Sequence, residues 1–230
     1  MRNIYAVFMK QVRDTFKNYA VLVQLLIFPV MAVILESIVV IENMPPHFFM
    51  KLFSVMFVGM APLISMSSIM SEEKEKNTLR ALMMSNVTPV QYLAGTGFFL
   101  WLVCMAGSLI FGICGEYRGR ELALFMLIMS AGIIISLIIG AVIGMWCANQ
   151  SSAASISTPV MMIFSFVPML AGFNDTIKKA ADILYSQQMQ LMINDIGNAG
   201  KPKGMIILAI NLAIAAAVFI FAYKKRGLDK

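Results

Sequence analysis

The side chains most able to do chemistry are concentrated in one polar segment, residues 71–92, between two long apolar runs. Acidic and basic residues alternate at its beginning: Glu72, Glu73, Lys74, Glu75, Lys76 and Arg80. Ser71 is predicted to cap the start of a helix here, because serine is a preferred N-cap residue. The acids that follow would lie in the first turn, where negative charge suits the positive end of the helix dipole. Leu79, Leu82 and Met83 recur at helical spacing and give that helix an apolar face. Such a helix on a membrane surface is well placed to bind another protein, and it does not resemble a catalytic centre.

The rest of the chain lacks the spacings that mark catalytic and metal sites. It contains no phosphate-binding loop, no GxSxG or HExxH motif, and no pair of carboxylates within an apolar run. Cys104, Cys114 and Cys147 lack metal-ligand spacing, and the single His47 is predicted to be a solvated loop residue. We therefore predict that this chain is not an enzyme and holds no cofactor or metal, so that energy for uphill transport would come from another chain.

Composition identifies an integral membrane protein with a single transmembrane domain, residues 1–230. The chain is 60% apolar and 13% charged, with a mean hydropathy of +0.81, whereas soluble domains are about 25% charged. Its net charge of +6 does not call for a nucleic-acid partner, because Lys and Arg at the cytoplasmic ends of membrane spans produce the same excess. The partner that the composition requires is the lipid bilayer.

Each bilayer crossing needs about 20 apolar residues, and the apolar runs predict six crossings. They lie at about residues 19–41, 52–70, 93–115, 122–148, 154–173 and 205–223. The polar run 149–159 separates the fourth and fifth spans. Pro159 and Pro168 imply that the fifth helix is irregular and internal, because the freed backbone groups need partners there. Residues 174–204 are predicted to form an outer loop with an amphipathic helix. The expected fold is all-α and polytopic.

Charge sets the predicted orientation. Six spans place both termini on one side, and that side, together with residues 71–92, holds eleven of the 18 Lys and Arg residues. The positive-inside rule therefore places both termini in the cytoplasm and the chain in the plasma (inner) membrane. Residues 1–18 carry Lys10, Arg13 and Lys17 opposite apolar side chains, which predicts an amphipathic helix in the inner interface. The alternative is a charged flank that only sets the orientation.

The polar segment also resembles the first cytoplasmic loop of type-2 ABC exporter permeases. The resemblance rests on Glu73-Lys74-Glu75-Lys76-Asn77-Thr78-Leu79, followed by Pro89 and Gly95. The family loop typically reads Glu-Arg-Glu-Lys-Gly-Thr-Leu-Glu, before a Pro and a Gly-Lys pair. Asn77 replaces the Gly and tolerates the same left-handed geometry, whereas Arg80 replaces an acid and Thr96 replaces the Lys. The six spans, the amphipathic N-terminus and the long outer loop extend the resemblance over the whole chain.

The resemblance implies the membrane subunit of an ABC exporter. Two copies, or one copy and a sister subunit, would pair with two cytoplasmic ATPase subunits that bind ATP and Mg. A coupling helix between spans two and three would dock on the ATPase, using Glu73, Glu75, Thr78, Leu79 and Leu82. The N-terminal helix would touch the same subunit. The second and fifth spans would line the route across the dimer, and their candidate pathway-lining residues are Met56, Met60, Pro62, Met66, Pro159, Met162 and Pro168.

The methionine-rich spans suggest a hydrophobic or amphipathic cargo, such as a drug, a lipid-like molecule or an antimicrobial peptide, because thioethers adapt to varied shapes. Ordinary packing explains these methionines equally well. One alternative within the family is an antimicrobial-peptide immunity or resistance pump. Alternatives of another class are a membrane scaffold or binding protein without transport, and an ion-coupled secondary transporter. The lack of a mid-membrane acid or base argues against the last.

Overall fold

The computed structural model describes residues 2–17, 19–39, 45–198 and 202–226, and the regular elements within these ranges are helices. A short 3₁₀ turn, Ile196–Asn198, follows the ninth α-helix. In chain order the α-helices are α1 Arg2–Lys17, α2 Tyr19–Ile38, α3 Phe48–Glu75, α4 Thr78–Met84, α5 Pro89–Cys114, α6 Arg120–Trp146, α7 Gln150–Ala171, α8 Asp175–Ala181, α9 Tyr185–Asn194 and α10 Pro202–Arg226. The prediction of an all-α fold is confirmed.

Among the described residues, five helices are long and apolar enough to cross a bilayer. They are Phe48–Glu75, Pro89–Cys114, Arg120–Trp146, Gln150–Ala171 and Lys203–Lys225. Each overlaps one of the predicted spans two to six. The first predicted span, 19–41, stays a prediction, because residues 40 and 41 lie outside the described part of the chain and only Leu26–Ile38 of α2 counts as a shorter apolar helix.

Helix α3 is the centre of the bundle. It packs against α2, α5, α6, α7 and α9, and 78% of its most apolar window is buried, against 17% for α10. Phe57 and Leu63 of α3 are fully buried, as are Phe111 of α5 and Ile133 of α6. Movement of either end of α3 therefore requires movement of the helices around it, since close-packed interiors transmit displacement.

The structure corrects the predicted beginning of the coupling segment. Helix α3 does not end near Met70 but continues to Glu75, so Ser71 lies inside a helix and caps none. Its hydroxyl donates to the carbonyl oxygen of Ser67 at 2.8 Å. The acids consequently occupy the last turn of α3, at the negative end of its dipole, and need basic partners there. The sequence offers no Gly or Pro between Pro62 and Asn77 to end the helix earlier.

The predicted break between spans four and five is shorter than the polar run suggested. Only residues 147–149 separate α6 from α7, and Pro159 lies inside α7. Asn149 ends the break as the helix cap, because its side-chain oxygen accepts a hydrogen bond from the backbone N–H of Ser152 at 2.8 Å. Small polar residues of the first turns, such as Ser151 and Ser152, therefore continue the helix instead of interrupting it.

The predicted outer loop, 174–204, is also built differently from the expectation of one amphipathic helix. It contains the separate helices α8 and α9 and the 3₁₀ turn, while residues 199–201 lie outside the described part. Helix α9 is packed between α3, α6, α7 and α10. Its side chains Tyr185, Met189 and Ile193 are fully buried. Helix α9 thus returns into the bundle and fills the space between the spans, whereas α8 stays mostly exposed.

Pro62 explains one polar connection that holds α9 in place. A proline has no N–H for the carbonyl of the residue four positions earlier, and that residue is Val58. The hydroxyl of Ser136 in α6 donates to the Val58 carbonyl oxygen at 2.7 Å. The same hydroxyl lies 2.7 Å from the phenolic oxygen of Tyr185 in α9. Neighbouring helices thus supply the hydrogen bond that the proline removes from α3.

The variant Ser136→Ala is expected to lower the free energy of unfolding by about 1–3 kcal/mol, since it leaves both the Val58 carbonyl and the buried Tyr185 hydroxyl without this partner. Tyr185→Phe should cost less, because Ser136 still donates to Val58. Thermal unfolding of both purified variants in the same detergent measures the difference. Equal unfolding temperatures for Ser136→Ala and the wild type would contradict this account of the connection.

Glu36 and His47 meet at the end of the bundle opposite the α3–α4 turn. One oxygen of Glu36 accepts from the backbone N–H groups of Phe49 and Met50, at 3.0 and 3.4 Å, and so caps the beginning of α3. The two ring nitrogens of His47 lie 3.8 Å from carboxylate oxygens of Glu36 and Glu116. His47 thus lies between two carboxylates, with 30% of its side chain exposed, so it is less solvated than the interpretation as a loop residue implied.

Candidate functional site: the α3–α4 turn and its clasp to α1

The turn between α3 and α4 is built around Asn77. Its backbone φ of +55° is the left-handed geometry that Asn tolerates better than most residues, as the sequence predicted for this position. The Thr78 hydroxyl donates to the backbone carbonyl of Glu73 at 3.1 Å and ties the new helix back to the old one. Asn86, which follows the C-terminal end of α4, also has left-handed backbone geometry, with a φ of +62°. Thr88 and Gln91 then form a reciprocal capping box that begins α5.

Three consecutive side chains in the last turn of α3 reach three different helices. Glu73 accepts from Lys10 of α1. The ammonium of Lys74 donates to the backbone carbonyl of Met145 at the end of α6, at 2.7 Å. Glu75 accepts from the backbone N–H at the start of α7 at 3.0 Å. This end of α3 is therefore fixed to α1, α6 and α7 together, and a force applied at the turn reaches all three.

The contact with α1 is an ion pair with additional polar partners, which we call the clasp: Lys10, Gln11, Glu73 and Thr96. The Gln11 amide donates to the Glu73 carboxylate at 2.8 Å and to the Thr96 hydroxyl at 3.4 Å. The Glu73 side chain is 9% exposed, while that of Lys10 is 28% exposed and lies 3.3 Å from Asp14. Burial lowers the pKa of Lys10, but the charge and hydrogen bond of Glu73 outweigh burial, so the pKa is raised from 10.5.

The five predicted coupling residues occupy different environments. Leu79 is 1% exposed and belongs to the hydrophobic core, and Leu82 is half-buried against it. Glu73 is buried, whereas Glu75 is exposed although its carboxylate already accepts from α7. The structure thus makes Glu73, Thr78 and Leu79 the residues that hold the turn to the bundle. Their role in coupling stays a prediction.

The outward surface of α4 consists of other residues. Arg80, Ala81 and Met84 are exposed along one side of the helix, and Lys76 precedes them on the turn. Met84 is 80% exposed, which is unusual for a large apolar side chain on a helix whose other face is buried. We call these four residues the α4 surface. They combine positive charge with an apolar end and lie on the same side of the bundle as α1 and the end of α10.

Sequence reasoning also missed Gln11, Lys74 and Gln150 as structural partners. Gln11 had a readable signal, because it stands in the middle of the apolar face formed by Val7, Phe8 and other residues of α1, where a polar side chain needs a partner. Lys74 and Gln150 had none. Lys74 donates to the backbone carbonyl of Met145, and the backbone N–H of Gln150 donates to the Glu75 carboxylate; only the packing of α3 against α6 and α7 brings these partners near.

The three predicted interfacial cations of α1 lie in different environments. Val7 and Gln11 face inward, with α1 packed on α5. Lys10 belongs to the clasp, and Arg13 is exposed. The side chain of Lys17 lies outside the described residues. That α1 lies in the membrane interface stays a prediction.

The candidate pathway-lining residues are distributed between the interior and the surface. Met56, Pro62 and Met66 of α3 are buried against helices of the same chain, and Met60 is half-buried. Pro168 is buried as well, whereas Pro159 and Met162 lie on the exposed side of α7. Within one chain, therefore, the candidates on α7 are partly exposed, whereas those on α3 lie mainly in the core, and their role in a pathway stays a prediction.

Comparison with known proteins gives one family. A family model described as ABC-2 family transporter protein matches residues 46–223. The match includes the first four span-length helices, the α3–α4 turn, α8 and α9, and the fifth span-length helix up to Tyr223. No curated protein matches the chain.

Proposed function

Since the chain belongs to the ABC-2 family of transporter proteins, we propose that it is the permease subunit of an ATP-driven exporter. In this proposal a separate cytoplasmic ABC ATPase binds ATP and Mg, and two permease copies, or one copy and a sister subunit, form the translocation path. Both termini and the α3–α4 turn face the cytoplasm, where the excess of Lys and Arg at this end supports the orientation.

The observation that carries the proposal is the α4 surface combined with the rigid attachment of α4. Arg80 and Met84 are free to contact a partner, while Leu79 on the other side is locked into the core. Arg is among the residue types that dominate binding energy at interfaces, and both Arg and Met are enriched there. An ATPase that grips this surface and closes on ATP moves α4, and the clasp and α3 carry that motion into the bundle.

The second permease copy is proposed to pack on α7. Only 22% of the most apolar window of this helix is buried within the chain. Large side chains remain exposed along its length: Ile156, Met162, Ile163, Phe166 and Leu170. In the membrane such a face contacts either lipid or another helix. Pro159 and Ser155 lie on it as well, and small or irregular positions favour helix contact over lipid contact.

The cargo is proposed to be hydrophobic or amphipathic, such as a drug, a lipid-like molecule or an antimicrobial peptide. The support is the apolar and flexible character of the exposed α7 residues, of which Met162 is 51% exposed.

The proposal predicts that the chain, purified gently from its native membranes, brings with it an ABC ATPase recognised by its sequence and present in about equal amount. The double variant Arg80→Glu/Met84→Asp should lower the co-purifying amount by at least about tenfold, because it reverses a charge and inserts a carboxylate in a contact expected to hold hot-spot residues. Quantitative mass spectrometry measures the ratio.

A matched control is Lys178→Glu, which changes an exposed charge on α8 at the opposite end of the bundle. It should leave the ATPase ratio unchanged. Unfolding temperatures of both variants show that the bundle is intact. Full retention of the ATPase by the α4 variant would contradict the assignment of this surface, and recovery of an active transporter without any ABC ATPase would overturn the proposed function.

A further inference from the structure

An apolar cavity of about 680 Å³ opens on the side of the bundle between α5, α6 and α10. Large aliphatic and aromatic side chains form much of its wall: Leu93, Phe98, Trp101, Leu137, Phe219 and Ile220. The volume falls in the range of about 300–1,000 Å³ typical of ligand sites. The indole N–H of Trp101 donates to the Ser130 hydroxyl at 3.0 Å, so the ring presents no unsatisfied donor to the cavity. Such a wall suits a hydrocarbon.

When the helix ends on the side of the α3–α4 turn are placed at the edge of the hydrocarbon core, the cavity lies within one lipid leaflet. Its lining residues stand four to twelve positions from the ends of α5, α6 and α10 on the side of the α3–α4 turn. At 1.5 Å per residue this is about 6–18 Å from those helix ends, and half of a hydrocarbon core is about 15 Å thick. An opening at this depth faces acyl chains instead of water. The hydrocarbon available to fill it is therefore that of a membrane lipid.

Two lysines follow the cavity-lining residues of α10, close to the end of that helix. Lys224 follows Ile220 by four residues and so shares its side of the helix. Lys225 leans back along α10, with its ammonium 5.9 Å from the centroid of the Phe221 ring. Both side chains are exposed. Lys224 lies one turn beyond the cavity residue Ile220, and Lys225 adds a second positive charge at the same helix end, so the pair complements an anionic phosphate attached to an acyl chain.

We propose that this cavity binds an acyl chain of an anionic phospholipid, with Lys224 and Lys225 holding its phosphate. None of the described lining residues comes from α7, so the site is separate from the face proposed for a second permease copy. The proposal goes beyond the transport function and does not rest on it. A multi-pass membrane chain would carry this lipid whether or not an ATPase is bound.

The two tryptophans of the chain make a direct test available. The variant Trp146→Phe leaves Trp101 as the single tryptophan, in the wall of the cavity. The full-length variant is reconstituted into phosphatidylcholine vesicles. Rising fractions of the lipid are then replaced by phosphatidylglycerol or phosphatidylcholine with bromine atoms on mid-chain carbons, which quench a tryptophan that they touch. The dependence of Trp101 fluorescence on each brominated lipid gives the relative binding constant.

Brominated phosphatidylglycerol is expected to bind at Trp101 about fivefold more strongly than brominated phosphatidylcholine for each lysine that engages the phosphate. Lys224→Gln/Lys225→Gln should bring the ratio close to one while quenching by both lipids persists. Gly97→Leu should weaken quenching by both, because Gly97 lines the cavity and a Cβ placed there meets no atom within 4 Å. The added side chain can therefore fill the space without displacing the helices.

Three results would overturn the proposal. Equal binding of the two lipids at Trp101 would mean ordinary boundary lipid. Unchanged quenching in Gly97→Leu would mean that the acyl chain lies elsewhere. Absence of quenching by either lipid would mean that protein covers the cavity. In the converse variant, Trp101→Phe, the fluorescence comes from the exposed Trp146 at the end of α6. Adding Gly97→Leu to this variant should not change the quenching of Trp146.

Discussion

Replacing Lys10 with methionine is expected to lower the free energy of unfolding by about 2–3 kcal/mol and to loosen the α3–α4 turn. The substitution leaves the nearly buried Glu73 carboxylate without its cation, and a charge stripped of its buried partner costs about 3–5 kcal/mol. We expect the smaller loss of about 2–3 kcal/mol because the Lys10 side chain is 28% exposed, so that water screens part of the interaction. Thermal unfolding in detergent measures the loss. Faster proteolysis near residues 76–78 would show where the structure opens.

The double variant Lys10→Met/Glu73→Met is the matched control. It removes both charges and fills the space with apolar groups of similar size, so it should recover much of the lost stability. If the double variant is as unstable as Lys10→Met, the single substitution acted through packing of α1 and the ion pair is not the cause. If Lys10→Met unfolds at the wild-type temperature, the clasp contributes nothing to stability.

The clasp also predicts a pH dependence. The pKa of Lys10 is raised above 10.5 in the folded chain, so the folded state holds this proton more tightly than the unfolded state. The stabilisation is fully present below the unfolded value and is lost as pH rises through the folded pKa. Above about pH 10.5, therefore, the wild type should lose stability faster than Lys10→Arg, since a guanidinium keeps its charge there. Parallel curves for the two proteins would contradict the assignment.

Gly140→Val is expected to destabilise the bundle by about 3 kcal/mol or more. A Cβ at Gly140 would lie 2.4 Å from the backbone carbonyl oxygen of Leu63 in α3, and one at Gly144 would lie 2.7 Å from the Cβ of Met70. Backbone atoms of the central helix cannot move aside locally, so overpacking here separates α3 from α6. The Gly-xxx-Gly spacing is the pattern that lets membrane helices approach closely. Unfolding temperature and the yield of folded protein measure the effect.

Gly97→Val is the matched control, a substitution of the same size in a neighbouring span. No atom lies within 4 Å of a Cβ built at Gly97, so this variant should be neutral in stability, and Gly97→Ala should gain up to about 1 kcal/mol from helix propensity. Equal losses for Gly97→Val and Gly140→Val would show that a β-branched side chain in a span, and not the α3–α6 contact, is responsible.

Both predictions concern how motion at the α4 surface reaches the spans. In the proposed function, an ATPase moves α4, and Glu73, Lys74 and Glu75 transmit that motion to α1, α6 and α7. The Gly140–Gly144 face then carries it along the α3–α6 contact. Variants of the clasp that fold in the wild-type manner should consequently affect transport more than ATPase binding, whereas variants of the α4 surface should affect binding first.

Much of the architecture was readable from the sequence because membrane spans obey a strong local rule. A bilayer core demands about twenty consecutive apolar residues, and the runs at 52–70, 93–115 and 205–223 each proved to contain a helix at that place. The left-handed turn at Asn77 was also predictable, since backbone geometry at such a position depends on the residue itself. The family followed from the short motif around this turn, and the family match confirms it.

The incorrect sequence predictions concern polar residues whose hydrogen bonds can be made in two different local structures. Ser71 fits a helix cap and equally fits a helix interior, where its hydroxyl bonds the carbonyl of Ser67. The run 149–159 fits a polar break and equally fits small residues on an exposed helix, which is what α7 shows. Local sequence does not distinguish these alternatives, because the choice depends on which other helix lies alongside.

The sequence by itself determined that this chain crosses a membrane with several helices, where most of them lie, and which short helix stands between spans two and three. These features follow from hydropathy and backbone preferences that act over a few residues. Only the tertiary structure decided that α3 is the centre, that α9 returns into the bundle, and that Glu73 is held by Lys10, 63 positions away. Contacts of that kind are selected by how whole helices pack, and packing is a property of surfaces that meet only after the chain has folded.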